Sequence, residues 1–274
     1  MIYGGVNMDA RLNKLANTIV NHSVKLKKGS KVLIKAIYDS KELVWEIIEE
    51  CHKVGAYPFV EYFLDDTTAR LLAMYNEEEK MRYLNKWNAY KWEDMDAEII
   101  IDGSYNEYEF SEPVILEKSK ISRKINKDLN DMITQHRKWV LLEWPTPLAA
   151  HKASRPTEVY RDFVFDVCNV DYKAMYEACI PLRDLMDRTD KVHIVGPGTD
   201  LTFSIKDIPS VICAGECNIP DGEVFTAPVK DSVNGVIQYN TDSPYDGKIY
   251  KNIRLEFKDG KIVNATCENG IMNH

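Results

Sequence analysis

The stretch Val32-Leu33-Ile34-Lys35-Ala36 decides the fold, together with the pattern on either side of it. Its almost unbroken apolar run predicts a short strand that is buried on both faces. Apolar residues at helical spacing over residues 9–27 predict an amphipathic helix before the strand. Asp39-Ser40 then opens a second helical pattern that stops at Gly55, because glycine favours a helix end. The order helix, strand, helix is typical of an α/β layer.

The same unit recurs along the first half of the chain. Strand-like runs lie at 58–62, 97–101 and 139–142, and helical patterns fill residues 67–94 and 115–136 between them. Short apolar strands that alternate with longer helices predict a parallel sheet covered on both faces. The sequence therefore predicts an open α/β sheet of about four strands.

The regular alternation of predicted strands and helices ends after residue 144, and short strands replace long helices near residue 190. Trp144-Pro145-Thr146-Pro147 predicts a rigid turn, and helices are predicted over 156–167 and 171–188. After residue 190 no long helix is predicted, and turn signals such as Asn218–Gly222 and Lys258–Lys261 separate short strands. We therefore expect an α/β domain over 1–190 and a β-rich domain over 191–274. The predicted strands of the second domain lie at 192–195, 201–205, 211–213, 224–226, 233–239, 249–257 and 261–266.

Composition excludes several classes of protein. The 274 residues carry 43 acidic and 35 basic side chains, for a net charge of −8, which argues against a nucleic-acid platform. No apolar run approaches the roughly 20 residues that span a bilayer. Residues 1–5 lack the pattern of a signal peptide, and the six cysteines are scattered, so we predict reduced, buried thiols in a cytoplasmic protein.

Two motifs have a functional and a structural interpretation. Gly196-Pro197-Gly198 follows a strand, as in a dinucleotide-binding loop, but residues 201–205 predict a strand rather than the helix that such a loop requires. A tight turn is favoured and a nicotinamide enzyme is disfavoured. Cys213 and Cys217, with His193 and Cys267 in the same predicted domain, could supply a zinc site, but without a second close pair buried thiols are favoured.

The densest polar segment contains the candidate metal ligand, Glu223. Asn218-Ile219-Pro220-Asp221-Gly222 restricts the backbone immediately before Glu223, which opens a β-like run. A carboxylate on a rigid strand start is suited to hold a divalent ion. The alternative is a hairpin with exposed acids, because no second ligand is visible nearby. No catalytic residue and no other cofactor-binding residue is assigned.

At this segment the sequence resembles peptidase family M29, the thermophilic aminopeptidases of the T and S type. Residues 195–205, 218–228 and 231–235 carry the most specific part of the resemblance, which extends from about residue 11 to about residue 268. The resemblance implies a cytosolic, dimeric metallo-aminopeptidase that removes N-terminal amino acids from peptides. It implies a pair of divalent ions (Zn, Co, Mn or Mg) and makes Glu223 one of their ligands.

The family pattern also places a Glu, His residues and an Asp, as further ligands, in a segment that follows the predicted strand 261–266. The chain ends at His274. We therefore expect residues 191–274 to be only the N-terminal part of the metallopeptidase catalytic domain, and the metal site to be incomplete. The expected partners are a peptide substrate and a second copy of the chain, with no nucleic acid and no membrane. The alternative function is a non-catalytic binding or dimerisation module derived from the same family.

Overall fold

Strand β1, Lys31–Ile37, pairs on both sides within a five-stranded parallel sheet. Its neighbours are β2 (Tyr57–Phe63) and β3 (Ala97–Asp102), and the order β2-β1-β3-β4-β8 continues through β4 (Lys138–Glu143) to β8 (Asn218–Ile219). The computed structural model describes residues 9–75, 77–245, 248–268 and 270–271. The predicted parallel sheet is therefore confirmed, with one strand more than expected.

The described residues divide into two compact units. The first unit comprises the residues up to Tyr172 together with Gly215–Asp221, and the second comprises Lys173–Ala214 together with the residues from Gly222 onward. The chain thus returns once to the first unit, where it contributes β8. The predicted domain limits, 1–190 and 191–274, stay a prediction.

The core of the first unit lies on both faces of β1. Val32, Leu33, Ile34 and Ala36 are almost entirely buried, as the apolar run predicts. Burying side chains of this size stabilises the fold by about 1.5–3 kcal/mol each for Val, Leu and Ile. The helices of the chain are α1 (Ala10–Thr18), α2 (Lys41–Val54), α3 (Asp65–Met74), α4 (Glu78–Trp92), α5 (Pro113–His136), α6 (Pro147–Lys152), α7 (Thr157–Cys168) and α8 (Tyr172–Asp187).

The ends of these helices follow the local sequence. The side chain of Asp9 accepts a hydrogen bond from the backbone of Arg11 at the start of α1. Helix α2 ends at Gly55, which takes the left-handed conformation that the sequence predicts there. None of the helices in the described part of the chain is long and apolar enough to cross a membrane.

Four details of the sequence prediction were wrong. The predicted strand 249–257 is interrupted at residues 251–253 and forms two strands, Lys248–Tyr250 and Arg254–Lys258. Asn218–Ile219, predicted as a turn, forms β8, because Ile219 buries its side chain and pairs with Leu142 of β4. The predicted helix 9–27 is shorter, since α1 passes into a wide π-helical turn at Ile19–Ser23. Helix α6 occupies part of the predicted rigid turn, because the Thr146 hydroxyl accepts a hydrogen bond from the backbone of Ala149.

The second unit is rich in β-strands, as predicted, and the structure shows that its main sheet is antiparallel. The strands of this unit are β5 (Lys191–Gly196), β6 (Thr199–Ser204), β7 (Val211–Cys213), β9 (Glu223–Phe225), β10 (Asn234–Gln238), β11 (Ser243–Tyr245), β12 (Lys248–Tyr250), β13 (Arg254–Lys258), β14 (Lys261–Cys267) and β15 (Gly270–Ile271). The strand order of the main sheet is β15-β14-β13-β10-β6-β5, and two short ribbons pair β7 with β9 and β11 with β12. Asp259 and Gly260 both have positive φ in the turn between β13 and β14, which is the geometry of a two-residue hairpin.

Gly235 in β10 is a tightly enclosed position of this sheet that a single methyl group can test. Its φ is +113°, and a Cβ added there would lie 2.1 Å from the backbone oxygen of Asp200. We expect Gly235→Ala to lower the free energy of unfolding by about 3 kcal/mol, because backbone strain and overpacking add. Urea denaturation followed by circular dichroism measures the change.

Gly196→Ala is the matched control, because a Cβ at Gly196 has nothing within 4 Å and the backbone there is not left-handed. Its effect should stay within about 0.5 kcal/mol. Equal destabilisation by the two variants would contradict the described packing of β10 on β6.

Candidate functional site

Glu223 stands at the first residue of β9, where sequence reasoning expects it. It lies opposite Cys213 in the ribbon of β7 and β9, and its side chain is exposed. Gly222 immediately before it has a φ of +142°, and a Cβ there would come within 3.0 Å of the Met175 sulfur. The backbone at Glu223 is therefore held by the turn before it and the ribbon after it.

The described residues do not assemble a set of ligands for a metal pair. Within the described ranges, no group of three or more His, Cys, Asp or Glu side chains converges in a way that could hold an ion. Asp221, which precedes Glu223 by two residues, accepts a hydrogen bond from the backbone of Gly215 at 2.9 Å. A single exposed carboxylate holds a divalent ion only weakly, because protein metal sites use several ligands.

The loop at Gly196-Pro197-Gly198 is the tight turn that the sequence favours. Gly196 and Thr199 pair across it, so the two strands β5 and β6 form a hairpin with Gly198 at a φ of +72°. Pro followed by a glycine of positive φ is the composition of such turns. Strand β6 follows the loop where a phosphate-binding loop would have a helix.

Sequence reasoning missed one contact of a histidine with a carboxylate. His193 Nε2 and Asp200 Oδ1 lie 2.8 Å apart on the exposed side of the β5–β6 hairpin. The two residues are close because the hairpin folds residue 200 back beside residue 193. The predicted strands on either side of the turn already indicated that these two segments would be neighbours. The register of the strand pairing, however, decides which side chains meet.

The prediction of buried thiols is only partly correct. None of the six cysteines forms a disulfide, but only Cys51 and Cys168 are buried, and the other four are half-buried. Burial raises the pKa of Cys51 to about 11 and that of Cys168 to about 12. The zinc hypothesis for Cys213 and Cys217 has no support, since the described part of the chain contains no metal-binding group.

The profile of the family described as thermophilic metalloprotease (M29) matches residues 8–272. The chain belongs to the M29 family. It is 25% identical to aminopeptidase PepS of Streptococcus thermophilus, covering 96% of this chain and 72% of that protein. It is 24% identical to aminopeptidase AmpS of Bacillus subtilis (95% and 71% covered) and 24% identical to aminopeptidase T of Thermus thermophilus (96% and 73% covered).

The fold of this M29 chain matches a solved structure. Wild-type AmpT from Thermus thermophilus superposes with a TM-score of 0.80 at 22% identity, covering 95% of this chain and 72% of AmpT. The M29 family is a family of metallopeptidases, which implies a divalent metal. Because the relatives are named aminopeptidases, the comparisons favour an enzyme over a non-catalytic module.

The buried thiols of this M29 chain give a test of the first unit. We expect iodoacetamide at pH 8.5 to label the half-buried Cys179 in the native protein and to leave Cys51 and Cys168 unlabelled, because burial keeps these two protonated. Mass spectrometry of native and urea-treated samples locates the label. Labelling of Cys51 as fast as Cys179 would contradict the described core.

The same pKa shifts predict alkaline destabilisation. The folded state holds the protons of Cys51 and Cys168 to higher pH than the unfolded chain, in which a thiol titrates near 9. Their contribution to stability is therefore complete below about pH 9 and is lost as pH rises toward 11–12. Urea midpoints at pH 8 and pH 10.5 measure it, and Cys168→Ala provides the comparison, since it should show the smaller fall between those two pH values.

Proposed function

We propose that this chain is an aminopeptidase of the M29 type, which removes N-terminal amino acids from peptides. The observation that carries the proposal is the family match over residues 8–272, joined to relatives that are named aminopeptidases over 95–96% of this chain. The substrate would then be a peptide with a free N-terminus.

Glu223 is the residue we propose as a metal ligand. Its carboxylate is exposed, so an ion can reach it, and it stands on a backbone fixed by Gly222 on one side and by pairing with Cys213 on the other. A carboxylate oxygen suits Zn, Co, Mn or Mg. Because the described residues bring no group of ligands together, we expect weak binding of the ion by this chain.

Four further properties belong to the same proposal. The catalytic region would begin in the β-rich domain over 191–274, after an α/β domain over 1–190. The protein would act in the cytoplasm and as a homodimer, as the family resemblance implies. The proposal includes no nucleic-acid or membrane partner, in keeping with the acidic net charge of −8.

The proposal is tested by assaying the 274-residue chain for release of N-terminal amino acids from peptide anilides, with and without Co²⁺ or Zn²⁺. We expect metal-dependent release, and a loss of at least about tenfold in Glu223→Gln, because the substitution removes the charged oxygen ligand and keeps the side-chain shape. Glu177→Gln is the matched control. It removes the same charge from an exposed position on α8 and should keep the activity.

Calorimetric titration with Zn²⁺ or Co²⁺ separates binding from turnover. Binding that Glu223→Gln weakens and Glu177→Gln does not would support the assignment of Glu223. Absence of turnover with both metals, together with equal metal binding by the two variants, would overturn the proposal for this chain and would favour the non-catalytic module.

A further inference from the structure

A cleft of about 460 Å³ lies where β1, β3 and β4 begin, entirely within the first unit. Its walls are the segment that leads into β1, the start of β3, and the end of α5 where the chain turns into β4. Strand β9 and Glu223 do not line it. The cleft is therefore separate from the proposed metal ligand, and its size is in the range of small-molecule sites.

The cleft concentrates positive charge in a protein whose net charge is −8. Four of the residues that line it are lysine or arginine, and one, Asp96, carries a carboxylate. The carboxylate is already engaged, because Asp96 Oδ2 accepts a hydrogen bond from the backbone of Lys31 at 2.8 Å. The four cations are Lys25, Lys27, Arg137 and Lys138.

No carboxylate of the described residues forms an ion pair with any of these four cations. Lys138 Nζ donates instead to the backbone oxygen of Lys25 at 3.0 Å. The backbone of Lys27 is fixed by its own turn, in which its N–H donates to Ser30 Oγ at 3.1 Å and its carbonyl accepts from the Ser30 N–H at 2.9 Å. The Lys138 ammonium is thus held by a backbone oxygen and not by a neutralising carboxylate.

The negative carboxyl ends of nearby helices offset only part of this positive charge. Helix α5 ends at His136 and the π-helical turn ends at Ser23, and each end carries a partial charge of about −0.5. Together with Asp96 they offset about two of the four cations. About two positive charges of the cleft therefore have no negative counterpart among the described residues that line it, and a bound anion would supply one.

Arg137 carries the most specific signal. Its Nε is buried and donates to no acceptor among the described residues, although buried donors are paired in most proteins. The residue connects α5 to β4, and its backbone N–H donates to Ile133 at 3.0 Å, which fixes the start of the side chain. A planar guanidinium carries several N–H donors in a fixed fork, which suits an oxygen anion that can accept two hydrogen bonds.

We propose that this cleft binds a small molecule that carries a diphosphate group. A diphosphate supplies at least two negative charges for the unbalanced cations and several acceptor oxygens for Arg137 and the lysines. The anion would lie against Arg137 and Lys138 on one side and Lys25 and Lys27 on the other. The proposal concerns the first unit and does not depend on aminopeptidase activity.

Calorimetric titration of the 274-residue chain with pyrophosphate and with ADP, at one fixed ionic strength, tests the proposal. The two probes distinguish a free diphosphate from a nucleotide as its source. We expect saturable binding of at least one probe. Arg137→Gln should weaken it at least about tenfold, since it removes a charged hydrogen bond, and Lys27→Gln should weaken it about threefold.

Lys124→Gln is the matched control, because it removes the same charge from an exposed position on α5. Lys124 lies about 18 Å along the helix axis from the carboxyl end of α5, beyond a Debye length at physiological ionic strength. The Lys124→Gln variant should bind pyrophosphate and ADP with the same affinity as the unaltered chain. Lys27 is an exposed turn residue, so Lys27→Gln still tests the proposal if Arg137→Gln does not fold, which a thermal melt decides.

Three results would overturn the proposal. The first is no saturable binding of either probe. The second is an equal loss of affinity in all three variants, which would indicate only a response to net charge. The third is tighter binding of citrate or of a single-stranded oligonucleotide than of both probes, because the cleft would then select a carboxylate or a nucleic acid.

Discussion

The burial of both faces of β1 is the constraint on which the first unit depends. A strand buried on both faces must pair its backbone on both sides, since unpaired N–H and C=O groups would be out of reach of water. Strands β2 and β3 supply those partners over almost the full length of β1. Helices must then cover both faces of the sheet, which is why the chain alternates between strand and helix up to residue 143.

The same sheet contains an ion pair that joins two neighbouring strands, β1 and β3. Glu98 of β3 is almost fully buried, and burial raises the pKa of its carboxyl while Lys35 of β1 lowers it. The Lys35 ammonium lies 3.3 Å from the Glu98 carboxylate. A buried carboxylate without such a partner would be costly, so the two neighbouring strands depend on each other for charge as well as for hydrogen bonds.

The two units place their functional candidates in different ways. In the second unit, turns and strand starts fix the backbone, and Glu223 is held in place by the residues adjacent to it in sequence and by one short ribbon. In the first unit, the basic cleft is assembled from the segment before β1 and the junction between α5 and β4. More than 100 residues separate Lys25 and Lys27 from Arg137 and Lys138, so no local pattern joins them. Only the parallel arrangement of β1, β3 and β4 brings their starting ends together.

The sequence by itself determined the alternation of strands and helices, the parallel class of the first sheet, the β-rich character of the second unit, the hairpin at Asp259-Gly260, and membership of the M29 family. Each of these depends on the order of neighbouring residues or on a motif that can be read along the chain. The tertiary structure decided the pairing of β8 with β4, the exposure of Glu223, the contact of His193 with Asp200 and the basic cleft. These depend on which distant segments meet, because burial and charge are shared among residues that only the fold brings together.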